Sequence, residues 1–407
     1  MMGLGYIGLP TAAVMASRGL KVIGVDVNQK TVDTINQGKI HIVEPDLDIV
    51  VRSVVSTGHL QATLKPEPAD AFLIAVPTPF CDDHKPDLGY IRAAAESIAP
   101  VLKPGNLIIL ESTSPVGTTE QLSCWLAEYR PDLKLPHEYE TTADVQVAHC
   151  PERVLPGQVL RELVDNDRIV GGITTKCAEA ASNLYQLIIN GDCLLTSART
   201  AELCKLTENA SRDVGIAFAN ELSLLCEHLD IDVWELRSLA NRHPRVNILE
   251  PGPGVGGHCI AVDPWFIIDS APELARLIRT AREVNDSKPN YVISRICRLA
   301  DRFKSPTIAC FGLAFKANID DLRESPAVAI AQDLAMRNIG QILLVEPHIE
   351  SLPESFSAYE NVSLVNVDEA LRAADIIVML VDHKSFKQID PGRLAHKVLI
   401  DTRGVWR

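Results

Sequence analysis

Apolar residues along the chain follow two rhythms. In the first 150 residues, short apolar runs at Lys21–Val25, Ala71–Val76, Leu107–Leu110 and Val145–Ala148 read as strands. Between them, Pro10–Arg18, Thr31–Asn36, Tyr90–Leu102 and Thr119–Tyr129 carry helical spacing. Strand and helix in alternation predict a parallel sheet with helices on both faces. From Ala198 to Asn241 the period lengthens to 3.6, with Leu203, Leu206, Ile216, Phe218, Leu222 and Leu225 in register. A second helical stretch runs from Pro272 to about Phe303, and a Gly- and Pro-rich loop, Arg242 to Pro264, separates the two. After Lys304-Ser305-Pro306 the alternation returns, with strand candidates at Ile308–Phe311, Ile342–Val345, Ile376–Val381 and Val398–Ile400. The pattern predicts an α/β protein: doubly wound parallel-sheet domains over residues 1–195 and 304–407, joined by a central helical region, 196–303.

Composition narrows the classes. The 407 residues suit two or three domains, and 46% apolar content is that of a globular chain. With 39 basic against 53 acidic residues the net charge is −14, which argues against a nucleic-acid or anionic-membrane surface. No basic segment followed by an apolar one opens the chain, and no uncharged run is long enough to span a bilayer, so a cytoplasmic protein is expected. Ten cysteines are scattered with no C-x-x-C pair, so neither a metal site nor a disulfide framework is expected.

Gly3-Leu4-Gly5-Tyr6-Ile7-Gly8 is a G-x-G-x-x-G that leads into a helix, then a strand, then Asp26 about 20 residues on. Such a loop lets the backbone approach a pyrophosphate at the helix N-terminus, and an acid at Asp26 favours NAD over NADP. This context predicts a Rossmann-like first domain. Only Met1 and Met2 precede the loop, where a strand of about five residues belongs. That central strand is therefore expected to be missing, as from a truncated or misassigned start, with its two neighbours left unpaired.

A second informative loop is Gly252-Pro253-Gly254-Val255-Gly256-Gly257-His258-Cys259-Ile260-Ala261-Val262-Asp263. Backbone N–H groups among glycines can stabilise a thiolate or an oxyanion, so Cys259 reads as a nucleophile with Asp263 beside it. Lys205 and Asn209 stand at i and i+4 on one helical face. Together with Val76-Pro77-Thr78-Pro79, Glu111-Ser112-Thr113-Ser114-Pro115-Val116-Gly117, Pro151-Glu152-Arg153 and Phe315-Lys316 through Pro326, these motifs resemble the UDP-glucose/GDP-mannose 6-dehydrogenases from Gly3 to Arg407. Pro151–Gly157 and Asn241–Asn247 look like the branch acting on UDP-N-acetyl-hexosamines.

The resemblance implies two Rossmann-like domains and a four-electron oxidation of a UDP-N-acetyl-hexosamine C6 alcohol to the carboxylate. Two NAD⁺ are consumed, and the setting implied is surface-polysaccharide synthesis of the enterobacterial common antigen kind. It assigns catalysis to Cys259, through a thiohemiacetal and a thioester, with Lys205, Asn209, Asp263, Thr113 and Glu152 around it. It assigns the cofactor to Gly3, Gly5, Tyr6, Ile7, Gly8, Asp26, Thr78 and Thr113. The UDP-sugar falls to Arg153, Lys205, Asn209, Arg212, His243, Arg245, Gly256, Lys316, Arg323 and Arg403. The chain departs from the UDP-glucose enzymes at Pro156, where they have a second glutamate. A homodimer through the central helix is also implied. Beside this reading stand a two-electron dehydrogenase on the same nucleotide domain, which needs no cysteine, and an inactive nucleotide-binding protein. The residues leave the sugar epimer open between manno and gluco.

Overall fold

The computed structural model describes every residue except Asp82, Asp83, Leu155, Pro156, His258 and Arg407. The chain forms two compact units, Met1–Glu208 with Trp265–Ser270, and Asn209–Pro264 with Ala271–Arg407.

The first unit contains β1 (Val22–Val25), β2 (Leu60–Thr63), β3 (Ala71–Ile74), β4 (Leu107–Leu110), β5 (Gln146–His149), β6 (Arg168–Gly172) and β7 (Cys193–Ser197). β1 pairs with β2, and β3-β4-β5-β6-β7 lie side by side in that order. The pairings are parallel except for the antiparallel β5–β6. Alternate residues of a strand go to opposite faces. Leu73 and Ile109 accordingly enter one apolar cluster with Leu9, Val51 and Leu60, while Phe72, Ile74 and Ile108 enter another with Ile91, Ile98 and Leu122.

The expected gap between β1 and β3 is narrower than the sequence suggested. Met2 bridges Val25 on one side and Ile74 on the other. Its N–H donates to Leu73 O at 2.7 Å, and the Gly3 N–H donates to Val25 O at 2.8 Å. The neighbouring strands are therefore joined, not left unpaired at this end. Met1 and Met2 are buried and occupy the carboxyl end of the central position, where the glycine loop begins.

In the second unit β8 (Thr307–Phe311), β9 (Gln341–Val345), β10 (Val362–Leu364), β11 (Ile376–Met379) and β12 (Val398–Asp401) form an all-parallel sheet of order β10-β9-β8-β11-β12. Chain direction across the sheet reverses between β8 and β11, the point at whose carboxyl ends ligands of such sheets bind. Alternation again feeds two clusters, Ile308, Cys310 and Ile342 on one face and Phe311, Leu343 and Met379 on the other.

Helix Ala198–His228 has 31 residues and is about 46 Å long at the usual rise. The helical run predicted to Asn241 breaks first: Asp230 takes a left-handed φ of 56°, and Asp232 caps a separate helix, Val233–Ala240, by accepting from Trp234 N and Glu235 N. Among the described residues no helix is long and apolar enough to cross a membrane.

Candidate active site

In the first unit the glycine loop meets helix Gly8–Ser17, which starts at Ile7 without a side-chain cap. An uncapped helix N-terminus suits an anion, though here Pro10 has no N–H and Leu9 N donates to Gly5 O at 3.1 Å, which leaves that task to Gly8 and the loop before it. A Cβ on Gly8 would lie 1.9 Å from Gly3 O, so the loop closes only with glycine there, whereas a Cβ on Gly5 would point into open space. Asp26 follows β1 and accepts from Leu4 N at 3.1 Å and Asn28 N at 2.9 Å, which ties the acid to the loop it serves. Tyr6 is exposed. Open space over Gly5, an uncapped helix start and an acid after β1 fit a dinucleotide. The Thr78 hydroxyl donates to Thr113 O at 2.6 Å, so the two threonines assigned to the cofactor are neighbours.

Thr113 belongs to a loop held from the long helix. The buried Glu202 carboxylate accepts from Gly117 N at 2.6 Å, Thr119 N at 2.7 Å and Thr119 Oγ1 at 2.6 Å. Burial raises its pKa against these donors. Lys205, half-buried, follows one turn later on the same helix. Glu202 escaped sequence reading because a lone glutamate among helix formers has no mark that separates it from a solvated face.

Glu152 is buried, and its Oε2 lies 2.8 Å from Arg168 Nη1 on β6. The alignment is that of an ion pair and falls short of a hydrogen bond. Its Oε1 accepts from Arg153 N at 2.7 Å. Arg168 sits over the Tyr185 ring, 5.0 Å from its centroid, and the Tyr185 hydroxyl donates to Glu111 Oε1 at 2.6 Å. Burial pushes the Glu111 carboxyl up to about 7, against the pull of Arg168. Arg168, Tyr185 and Glu111 carry no mark of site residues in the sequence, since a strand, a helix end and the segment after β4 bring them beside Glu152 only in the fold. The Arg153 side chain forks onto Glu208 at 2.7 and 3.1 Å.

The second unit holds the cysteine loop. Cys259 is exposed in a turn, and its carbonyl accepts from Val262 N at 3.2 Å and Asp263 N at 2.9 Å as helix Asp263–Ser270 begins. Asp263 is buried and accepts from Asn209 Nδ2 at 2.5 Å. Two glycines show why the loop tolerates no side chain: a Cβ on Gly256 would sit 2.2 Å from Glu324 O, and one on Gly257 would sit 2.8 Å from the Phe315 ring. The cysteine loop is thus packed on the segment after β8 that carries Phe315 and Lys316.

Lys316, Arg212 and Arg245 are exposed. His243 Nδ1 accepts from Arg245 N at 3.3 Å. Arg323 pairs with Asp321 at 2.6 Å, and Arg403 with Asp382 at 2.9 Å. Behind the cysteine turn, the buried Arg282 side chain reaches Asp213 Oδ1 at 2.6 Å and Ile260 O at 3.5 Å, and pairs with Asp286. Asn285 donates to the same Asp213 oxygen at 2.8 Å. His258 and Pro156, both singled out in the sequence, lie outside the described residues.

A dinucleotide loop on one unit and, on the other, a cysteine loop packed on a second doubly wound sheet define a class, the NAD-dependent UDP-sugar dehydrogenases. The chain belongs to the UDP-glucose/GDP-mannose dehydrogenase family: that family's NAD binding domain matches residues 1–189, its central domain 199–287 and its UDP binding domain 309–407. It is 67% identical over 406 residues to an NDP-N-acetyl-D-galactosaminuronic acid dehydrogenase of Ralstonia nicotianae, covering 100% of this chain and 95% of that one. It is 60% identical over 415 residues to the UDP-N-acetyl-D-mannosamine dehydrogenase of Yersinia pestis, covering 100% and 98%. The solved UDP-D-ManNAc dehydrogenase of Pyrococcus horikoshii superposes with a TM-score of 0.88 at 37% identity, covering 100% and 95%.

Proposed function

We propose that this chain oxidises the C6 alcohol of UDP-N-acetyl-D-mannosamine to the uronate, with Cys259 as the covalent nucleophile. The observation that carries the reading is the cysteine loop itself, whose glycines lie against Glu324 and Phe315 of the UDP-binding half. Balance requires one sugar, two NAD⁺ and one water, giving one ionised uronate, two NADH and three protons. NAD⁺, held by Gly3 to Gly8, Asp26, Thr78 and Thr113, supplies the hydride acceptor for both oxidations. The Cys259 thiolate adds to the C6 aldehyde and holds it as a thiohemiacetal. Its oxidation product is a thioester, which water opens. Lys205 donates to the oxyanion that develops at C6. Asp263, fixed by the Asn209 amide, accepts a proton from the attacking water. Glu152 and Thr113 line the site. Arg153, Arg212, His243, Arg245, Gly256, Lys316, Arg323 and Arg403 take the UDP-sugar, whose diphosphate needs such donors.

A homodimer through the central helix accompanies this reading, supported by Phe218 and Leu225, exposed on the long helix, and by Leu229 just beyond it. The product suits surface-polysaccharide synthesis of the common-antigen kind. A second substrate has its own support: the 67% identical relative is named for a galactosaminuronic acid. The deciding experiment is an NADH assay on the purified chain with UDP-ManNAc, UDP-GlcNAc and UDP-GalNAc. Two NADH per UDP-ManNAc is expected. Turnover on UDP-GalNAc alone replaces the substrate, one NADH per sugar removes the covalent mechanism, and none removes the activity.

A further inference from the structure

At the switch point of the second sheet lies a cluster the mechanism does not use. Glu346 follows β9, His383 follows β11, and both side chains are fully buried. His348 brings a third candidate metal-ligand atom within 4.8 Å of theirs. The hydrogen bonds decide what the cluster does. His383 Nδ1 accepts the Asn318 N–H at 2.9 Å, so the ring proton belongs on Nε2, and Nε2 donates to Glu346 Oε2 at 3.0 Å. That same oxygen accepts from Leu313 N at 2.8 Å and Ala314 N at 3.1 Å, while Oε1 accepts from His348 N at 3.1 Å. Both His383 nitrogens and both carboxylate oxygens are thereby engaged, so Glu346 and His383 form a hydrogen-bond clamp.

The clamp grips one segment at both ends. Glu346 holds Leu313 and Ala314 at its start, and His383 holds Asn318 at its end, where φ is 64° and the Asn318 side chain accepts from Lys384 N at 2.9 Å. Between the grips stand Phe315, against Gly257 of the cysteine loop, and the exposed Lys316. The first unit offers an instructive contrast. Asp26, which follows β1, also bonds the first loop of its unit, yet it is only half-buried, as an acid that meets a ribose must be. Glu346 is sealed by His383 and faces no ligand.

We propose that the Glu346–His383 pair is a positioning device that pre-organises the Leu313–Asn318 segment for the UDP moiety and, through Phe315, the seat of the cysteine loop. The inference rests on the UDP-sugar reading above. It predicts a cost in UDP binding rather than in cofactor binding, because an ordered loop spares the ligand the entropy of ordering it.

The test uses the full chain, with UDP as calorimetric probe, NAD⁺ titrated separately, and steady-state turnover on the active UDP-sugar. His383→Ala should weaken UDP about 10-fold or more, the scale of a lost hydrogen bond to a charged group, and raise KM for the sugar nucleotide more than it lowers kcat. The milder Glu346→Gln keeps the shape and one acceptor, and should weaken UDP several-fold. His383→Asn, which restores an acceptor near the Nδ1 position, should recover part of the loss. NAD⁺ affinity should stay within about twofold of wild type throughout. Unchanged UDP affinity in His383→Ala and Glu346→Gln, with the wild type binding UDP, overturns the clamp alone. A parallel loss of UDP and NAD⁺ affinity reduces it to general stability. A wild type that fails to bind UDP overturns both the clamp and the reading beneath it.

Discussion

Arg282→Met is the sharpest single perturbation of the second unit. It removes the cation that pairs with Asp213, whose side chain is 0% exposed against 2% for Arg282. Asp213 lies one turn beyond Asn209 on the long helix, and Arg282 also reaches the Ile260 carbonyl beside Cys259. Breaking one side of such a pair leaves a buried, uncompensated charge, at a cost of about 3–5 kcal/mol. Asn285 still donates to Asp213, which places the expected value toward the lower end of that range.

The pH dependence gives the loss a signature. Burial already raises the Asp213 pKa above its ordinary 3.8, and the Arg282 charge pulls the other way. Without Arg282 the folded-state value rises further. A carboxyl with a raised folded pKa binds its proton more tightly folded than unfolded, so the penalty is absent below pH 3.8. It grows as pH rises from there and is complete above the raised value. Urea unfolding of Arg282→Met should therefore approach wild type near pH 4 and fall behind by about 3 kcal/mol at pH 7–8. Adding Asp213→Asn, which keeps an oxygen for Asn285 without charge, should return at least half of that. A pH-independent loss, a single-variant cost under about 1 kcal/mol, or a double variant no better than the single would each refute the buried-charge argument.

Three further outcomes follow from the same geometry. Cys259→Ser should abolish four-electron turnover while UDP binding persists, because a serine hydroxyl is a far weaker nucleophile near neutrality; uronate formed at near-normal rate sinks the covalent step. Lys205→Ala should lower kcat by about 10²-fold or more, the scale of one oxyanion donor, and a change confined to KM would reassign it to binding. Gly5→Ala and Gly8→Ala should separate: the Gly5 Cβ enters open space and costs NAD⁺ affinity without stability, whereas the Gly8 Cβ meets Gly3 O at 1.9 Å and costs both, as thermal melts with and without NAD⁺ would report.

How much of this was legible before the structure depended on burial symmetry. Strands buried on both faces, such as Leu107–Leu110 and Ile376–Met379, read as unbroken apolar runs and were placed within a few residues. Leu60–Thr63 and Cys193–Ser197 carry no such run. Leu60–Thr63 lies at the edge of its sheet beside β1 among the described residues and carries the exposed Gln61, and Cys193–Ser197 is the end strand of its sheet with Leu194 and Leu195 about half exposed, so neither shows a continuous apolar stretch. Arg168–Gly172 hides for another reason: its first residue is a buried arginine, and the Glu152 carboxylate and Tyr185 ring that the fold brings beside it explain a charge there.

The candidate site divides along the same line. Residues whose chemistry needs a backbone shape leave a mark in the sequence, because glycine spacing is that mark. Gly8 against Gly3 O, and Gly256 and Gly257 against Glu324 O and Phe315, were found as motifs before their contacts were known. Residues that act by filling a partner's hydrogen-bonding capacity leave none. Glu202 under the Thr113 loop, Arg168 beside Glu152, Arg282 under the cysteine turn and His383 against Glu346 each join segments at least 16 positions apart, at separations of 83, 16, 22 and 37. A charged side chain on a helix or strand end has a solvated alternative that costs nothing, so pattern alone favours the surface reading. Burial removes that alternative, because an ionised group withdrawn from water persists only where its partners are already fixed. The named catalytic residues are therefore the readable part of this site, and the buried acids, arginines and histidine that hold them form a second layer that only the folded chain displays.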